Sequence, residues 1–223
     1  AGITSAIIAL FVFWGFFRAR EKKDRNKFTA IIAGILVLLF IYGGRIGFSG
    51  ITDRFLQLVE NVSRIDFWKD SFVLLAEKPL GIGLGNFEDV FRPFYSAARS
   101  DFFVVDHLHN DYLQLLIETG WPGFLLLTGG FFYFLFNSFR LALNKKRKID
   151  DFRFFIGIGA LSGLVSIGFH SLVDFNLQIP ANCVYFVILM AIVHACLWHE
   201  GRLEGERVYV RKRVKKVPAK NAN

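Results

Sequence analysis

Eighteen consecutive residues without a charge occupy positions 122–139, with the sequence PGFLLLTGGFFYFLFNSF. As a helix this stretch is about 27 Å long, close to the ~30 Å hydrocarbon core of a bilayer. Four further apolar stretches lie at residues 2–17, 28–42, 154–173 and 181–198. The sequence therefore predicts an all-α integral membrane protein with about five transmembrane helices.

The overall composition excludes an ordinary soluble domain. Hydrophobic residues make up 53% of the 223 residues, and the mean hydropathy is +0.40, although the formal net charge is +8. Nucleic-acid binding would explain the charge and not the apolar excess. A membrane protein with basic cytoplasmic segments explains both, so we expect a lipid bilayer and no nucleic acid as partners.

The basic residues indicate how the chain is oriented in the membrane. Of the 27, six fall within residues 18–27, six within 140–153 and eight within 202–220. Residues 43–117 hold seven basic and ten acidic residues. Because basic loops stay in the cytoplasm, we expect an extracytoplasmic segment at residues 43–121 and a cytoplasmic tail at 199–223. The tail is either a positive-inside anchor or a site for anionic lipid heads.

The start of the sequence indicates a longer protein. The only methionine is Met190, and the chain opens at Ala1 inside an apolar run. We therefore expect residues 1–223 to be the C-terminal part of one polytopic domain.

The extracytoplasmic segment has a helical repeat followed by a glycine-rich run. Apolar residues recur at three- and four-residue steps between residues 53 and 77, which predicts an amphipathic helix with Arg64 and Trp68 on one face. Those residues are Phe55, Leu58, Val62, Ile65, Trp68, Phe72 and Leu75. The run GIGLGNF at 81–87 lacks a P-loop ending and favours a tight turn against another helix. Contact of its backbone N–H groups with a pyrophosphate is the alternative.

A second motif, DHLHNDYLQLLIETGWPG, occupies residues 106–123. Its leucines, with Gly120 and Pro122 behind them, predict a capped helix of about three turns whose polar end carries His107 and His109. Metal binding there is disfavoured, because ligands one and two residues apart do not share a helix face and no zinc motif is present. Solvated histidines at a helix start are the simpler interpretation.

A third polar group lies at the outer end of the predicted fourth span. His170 and Asp174 are four residues apart, and such groups are costly to place in lipid. They are therefore expected to face protein, water or substrate. A polar turn joining two spans is the alternative to a site.

Taken together, these motifs resemble the O-antigen ligase and polymerase superfamily of bacterial envelope glycosyltransferases. The resemblance rests on RIDFW at 64–68, PLGIGLGNF at 79–87, HNDYLQLLIETGWPG at 109–123 and HSLVDFNLQIPAN at 170–182. Each element is weak by itself, and their order, spacing and shared outer placement make the combination specific.

The resemblance implies a multi-pass enzyme of the bacterial inner membrane whose active face is periplasmic. It would transfer a glycan from undecaprenyl pyrophosphate to a hydroxyl of a glycan, a lipid A core or a protein, without a cofactor, nucleotide sugar or metal. Arg64 is expected to bind the pyrophosphate and His109 to act as the base. The remaining expected substrate-binding residues are Trp68, His107, Asn110, Glu118, His170 and Asp174.

Ligase, polymerase and protein oligosaccharyltransferase share these motifs and stay open as alternatives. The family's further arginine, in a Ser-Arg-Ala/Gly-Gly element, would precede Ala1, so activity is expected of the longer protein. A transporter or flippase of envelope polysaccharide is the alternative from another class, and a scaffold is a further one. A transporter is expected to place its polar groups near the bilayer midplane, whereas here they concentrate in an outer segment.

Overall fold

The computed structural model describes residues 2–20, 25–46, 62–94, 106–147 and 149–199. In these ranges the α-helices are α1 Gly2–Arg20, α2 Arg25–Ile46, α3 Val62–Glu77, α4 Phe87–Phe91, α5 Asp111–Leu143, α6 Asp151–His170 and α7 Pro180–Val193. Short 3-10 turns at Arg92–Phe94 and Asn176–Gln178 and a π-turn at His194–Trp198 complete them. The described residues contain no strand, so the all-α prediction is confirmed. The predicted helical residues 53–61 and the tail beyond residue 199 lie outside the described part.

Four helices in the described part are long and apolar enough to cross a membrane. They are Gly2–Arg20, Asp111–Leu143, Asp151–His170 and Pro180–Trp198. The predicted span at 28–42 lies in α2, whose apolar part covers the shorter range Thr29–Leu38. The predicted fourth span ran to residue 173, but α6 ends at His170, where a hydrogen-bonded turn begins.

The spanning helices pack around a core shared by α1, α6 and α7. Phe16, Ile158, Leu161 and Val193 are among its buried residues. Gly157 permits the closest contact, since a Cβ at this position would lie 2.7 Å from a Leu197 methyl group. Small residues at such positions let helices approach each other in lipid, where no hydrophobic force drives them together.

Large apolar side chains cover the outside of this bundle. Leu126, Phe132, Phe136, Val184 and many others are more than half exposed. In water such a surface would be unstable, and against lipid tails it is the expected one. The exposed surface therefore agrees with a membrane protein.

Helix α5 consists of two segments that meet at Gly120. This residue has φ 66° and ψ −177°, so residues 111–119 form one helix and the apolar residues 121–143 another. The predicted end of the short helix at Gly120 is thus confirmed, and the predicted span at 122–139 follows it. The predicted start is wrong, because Asn110 caps the helix and His107 and His109 precede it. The break separates a short helix with several polar residues from a continuation that is apolar enough to cross a membrane.

The glycine-rich run forms a turn packed against this break. Gly81 has φ 89°, and a Cβ there would lie 2.5 Å from the backbone nitrogen of Gly120. The N–H groups of Ile82 and Gly83 donate to the carbonyls of Ile117 (3.1 Å) and Glu118 (2.9 Å). The turn against another helix is therefore confirmed. In the structure, the N–H groups of Ile82 and Gly83 therefore donate to carbonyls of helix α5.

Helices α3 and α4 and the start of α5 have an apolar core of their own. Leu74 of α3, Phe87 and Phe91 of α4, and Leu108 and Ile117 are buried together. We call residues 62–94 and 106–119 the cap. The cap adjoins the bundle at the end where α5 begins and α6 finishes.

Helix α3 packs with a different face from the one predicted. Ser71 and Leu74 are fully buried and mark the centre of its packed face. Leu75 is also buried, but Ile65 and Phe72, predicted on the same stripe, are more than half exposed. Ser71 can be buried in this face because its hydroxyl donates to the carbonyl of Phe67 in the same helix (2.6 Å). The exposed apolar edge suits a helix that lies at a membrane interface.

Candidate active site

The start of α5 is tied to the loop between α6 and α7 by two hydrogen bonds. The backbone N–H of Asp111 donates to the carbonyl of Ser171 (2.9 Å), and its carboxylate accepts from the N–H of Leu177 (3.0 Å). Asp111 is buried, so water does not compete strongly for these bonds. This clamp brings the two polar motifs of the sequence together.

The carboxyl group of Asp111 is affected by both burial and hydrogen bonding. The residue precedes the apolar segment 122–139 and lies outside it. Burial raises the pKa of its carboxyl, and the hydrogen bond from Leu177 opposes that rise. We interpret Asp111 as a residue that holds the loop in place, which the sequence analysis did not single out.

Three of the predicted site residues meet on this loop. Asp174 lies between two imidazoles, with 3.6 Å from its Oδ1 to Nδ1 of His109 and 3.3 Å from its Oδ2 to Nε2 of His170. The longer distance is an electrostatic contact rather than a hydrogen bond. Contacts of this kind often tighten when a substrate binds.

The same three side chains are accessible. His109, His170 and Asp174 are 33%, 25% and 38% exposed, so a substrate can reach all three. His109 also has φ 51°, a left-handed conformation that is uncommon outside glycine. Backbone strain of this kind concentrates at functional sites, because surrounding contacts must hold it.

Phe175 separates two of the histidines, and the sequence analysis did not identify it. Its ring stacks on His107 with centroids 4.8 Å apart and meets His109 edge-on at 4.9 Å. Its backbone N–H donates to Oδ1 of Asp174 (3.0 Å). One residue thus positions both imidazoles and the carboxylate, and an aromatic residue next to Asp174 was the signal available in the sequence.

Gln114 is a second residue that the sequence analysis missed. Its side chain is buried and accepts a hydrogen bond from the N–H of Leu108 (3.3 Å). Its amide nitrogen lies 3.1 Å from Oε1 of Glu118 and 3.3 Å from Nδ1 of His107. A glutamine inside an otherwise leucine-rich helix turn was the available signal.

Two residues predicted to bind substrate have partners within the protein. Asn110 caps α5, because its side-chain oxygen accepts from the N–H of Leu113 (3.0 Å). Glu118 is buried and accepts from Gln114. Both lie next to the histidine group, and their contact with substrate stays a prediction.

Helix α3 is attached beside the histidines through Trp68. The indole N–H of Trp68 donates to the carbonyl of Leu108 (2.9 Å), the residue between His107 and His109. Arg64 is in the first turn of the same helix, one turn before Trp68. Four residues of helix correspond to about 6 Å, so the backbone of Arg64 lies about 6 Å along the helix axis from that of Trp68.

The arrangement provides a base and an orienting carboxylate at an accessible surface. A carboxylate beside Nδ1 favours the proton on that nitrogen, and the lone pair of the neutral ring then lies on Nε2. Within the described residues, no group of three or more His, Cys, Asp or Glu side chains is arranged to hold a metal ion.

Comparison with known proteins gave one family. The family model described as O-antigen ligase matches residues 1–128, which is more than half of the chain. The match includes Arg64, His107 and His109 and ends before His170 and Asp174. No curated protein and no solved structure matched the chain.

Proposed function

Since the chain belongs to the O-antigen ligase family, we propose that it transfers a glycan from undecaprenyl pyrophosphate to an acceptor hydroxyl. The reaction takes place at the periplasmic face of the bacterial inner membrane. The observation that carries this proposal is the contact between His109 and Asp174 at the accessible end of the bundle. The acceptor belongs to a growing glycan, a lipid A core or a protein.

His109 acts as the general base. Its Nε2 accepts the proton of the acceptor hydroxyl while that oxygen forms a bond to the anomeric carbon of the donor. The bond from this carbon to the pyrophosphate oxygen breaks, and its electron pair leaves with the pyrophosphate. General base catalysis of this type contributes roughly 10²–10⁴-fold to a rate.

Asp174 stabilises the imidazolium that forms in this step. Its Oδ1 lies 3.6 Å from Nδ1 of His109, so the charge that develops on the ring meets a carboxylate. His170 contacts the other oxygen and keeps the carboxylate in place. The three residues work as one unit, in the manner of a base and its orienting group.

Arg64 binds the departing pyrophosphate. Negative charge grows on the leaving group, and a guanidinium supplies paired donors while keeping its own charge. The position of Arg64 one turn from Trp68 supports this role, because Trp68 attaches α3 to the histidine segment. The proposal involves no metal and no nucleotide sugar.

Loss of transfer in two variants tests the site. In the full-length protein with a lipid-linked donor, Arg64→Ala and His109→Ala should each lower the transfer rate by roughly 10²-fold or more. Glu88→Gln, an exposed change in α4, is the matched control and should transfer normally. Normal transfer by both site variants in correctly inserted protein would show that the assignment is wrong.

Cysteine labelling tests the orientation. In a background with Cys183→Ser and Cys196→Ser, an impermeant thiol reagent should label Asp89→Cys in intact spheroplasts. Lys145→Cys, at the other end of the bundle, should be labelled only after lysis. Both positions are exposed, so access depends on the side of the membrane alone. The reverse pattern would place the histidine group in the cytoplasm.

A further inference from the structure

We propose that Gln114 and Glu118 are positioning residues that hold His107 with its proton on Nε2, so that His107 donates a hydrogen bond to a substrate oxygen. This inference rests on the proposed glycan transfer and adds a defined role for a second histidine. In this proposal His107 donates a hydrogen bond, and His109 remains the general base.

The first step is the orientation of the Gln114 amide. Amide oxygen and nitrogen are normally distinguished by their partners. The N–H of Leu108 can only donate, and it points to Oε1 of Gln114 at 3.3 Å. That atom is therefore the oxygen, and the NH₂ group is on the other side.

The second step is the destination of the two amide hydrogens. The nitrogen of Gln114 lies 3.1 Å from Oε1 of Glu118 and 3.3 Å from Nδ1 of His107. The Glu118 carboxylate can only accept, which reinforces the orientation set by Leu108. Gln114 and Glu118 are 2% and 5% exposed, so water cannot replace either partner if the amide turns over.

The third step is the tautomer of His107. An NH₂ group facing Nδ1 requires this nitrogen to accept, so the neutral ring carries its proton on Nε2. Stacking on Phe175 at 4.8 Å keeps the ring from rotating. His107 thus presents an N–H donor, whose natural partner is a sugar hydroxyl or a phosphate oxygen.

The two histidines of the motif then have opposite tautomers. Nδ1 of His109 faces the Asp174 carboxylate, whereas Nδ1 of His107 faces the Gln114 amide. A carboxylate selects the ring with its proton on Nδ1, and an amide NH₂ selects the ring with its proton on Nε2. Phe175 therefore contacts one proton acceptor and one hydrogen-bond donor, which are two residues apart in the chain.

Exchange of the two positioning side chains tests this arrangement. The double variant Gln114→Glu/Glu118→Gln keeps one carboxylate and one amide in the same buried place. The new carboxylate accepts from Leu108, from the amide at position 118 and from Nδ1–H of His107. The exchange therefore reverses the tautomer of His107 and leaves the charge of the cap unchanged.

The tautomer is read from the imidazole ¹⁵N shifts of the full-length protein in lipid, without substrate. Signals of His107 are identified by their loss in His107→Asn. We expect Nε2–H in the wild type, Nδ1–H in the exchange variant, and Nε2–H again in Glu118→Gln, where the new amide oxygen still accepts from Gln114. Nδ1–H in the wild type, or Nε2–H in the exchange variant, would overturn the proposal.

Transfer from the lipid-linked donor gives the second readout. The exchange variant should transfer about tenfold more slowly, the effect of about one lost hydrogen bond, whereas Glu88→Gln, the exposed change in α4, should remain near the wild-type rate. A reversed tautomer with an unchanged rate would disprove the donor role. If the exchange variant does not fold, the wild-type and Glu118→Gln spectra still decide the tautomer. Failure of the transfer proposal would appear separately, as normal transfer by His109→Ala.

Discussion

The cap and the membrane bundle satisfy their buried polar groups in different ways. In the bundle, the hydroxyls of Thr128, Ser138 and Ser162 each donate to the carbonyl four residues earlier in their own helix. In the cap, Asp111 reaches the α6–α7 loop and Gln114 reaches residues 107 and 108. The three hydroxyls of the bundle donate within their own helices, and Ser138 also accepts from the indole of Trp198 (2.9 Å), whereas Asp111 and Gln114 of the cap bond to segments outside their helix.

From this difference we infer that the bundle mainly determines stability and the cap mainly determines function. Helices of the bundle are specified by composition and close packing, so changes there should alter stability first. The cap holds a small number of accessible polar side chains in a geometry that several elements must maintain. Changes there should alter catalysis first, and the following predictions test that division from the largest expected effect to the smallest.

The largest effect is expected from Asp174→Asn. An amide carries no negative charge, so the imidazolium that forms on His109 loses its stabilising partner, and transfer should fall roughly 10²–10⁴-fold. The rate of glycan transfer by the full-length protein measures this. Asp89→Asn, an exposed aspartate in the cap, is the control and should transfer normally. Equal rates for both variants would remove Asp174 from the site.

Gly120→Ala should lower the free energy of unfolding, because Gly120 lies where the cap meets the bundle. A side chain at φ 66° and ψ −177° costs about 1–3 kcal/mol, and its contact with the backbone of Leu80 and Gly81 adds about 1–3 kcal/mol. Chemical unfolding in mixed micelles measures the change. Gly85→Ala has a similar φ of 76° and open space around it, so it isolates the conformational part. Equal losses of unfolding free energy in Gly120→Ala and Gly85→Ala would show that the close contact of Gly120 with Leu80 and Gly81 adds no cost.

Gly157→Ala should destabilise the bundle by about 1–3 kcal/mol, because the new methyl group would lie 2.7 Å from Leu197. The free energy of unfolding is again the measurement. Gly129→Ala meets nothing within 4 Å and should be neutral or slightly stabilising. In each variant, transfer per folded molecule should stay near normal. A loss of transfer per folded molecule in Gly157→Ala would contradict the division between the bundle and the cap.

The smallest effect is expected from Trp68→Phe. This change keeps an aromatic ring and removes the hydrogen bond to Leu108, which contributes about 0.5–1.5 kcal/mol. Hydrogen exchange of residues 106–110 should become faster while that of α6 does not change. Unchanged exchange at the histidine segment would show that α3 is held by its apolar contacts alone.

Much of this fold followed from the sequence because its signals are local. Uncharged stretches near 18 residues predicted the spans, and Gly120 predicted the end of the short helix. The packed face of α3 was harder to predict, because burial of Ser71 depends on a bond within the helix that hydrophobic spacing does not register. The C-terminal end of α6 was predicted at residue 173 and lies at His170, where a polar turn begins.

The candidate site was predictable in its parts and not in its assembly. His109, His170 and Asp174 were each identified from residue type and position. Their meeting depends on the clamp between Asp111, Ser171 and Leu177, which joins segments about 60 residues apart. Gln114 and Phe175 escaped notice because a glutamine and a phenylalanine acquire roles only through the neighbours they contact.

Alone, the sequence determined that the chain is helical and lies in a membrane, because hydrocarbon excludes charge and requires every backbone group to be paired within a helix. It also determined which polar residues were available for chemistry. Only the tertiary structure decided that Asp174 lies against His109 and that the amide of Gln114 faces His107. Hydrogen bonds are directional and short, so the proton positions of the two histidines depend on partners that residue spacing does not specify.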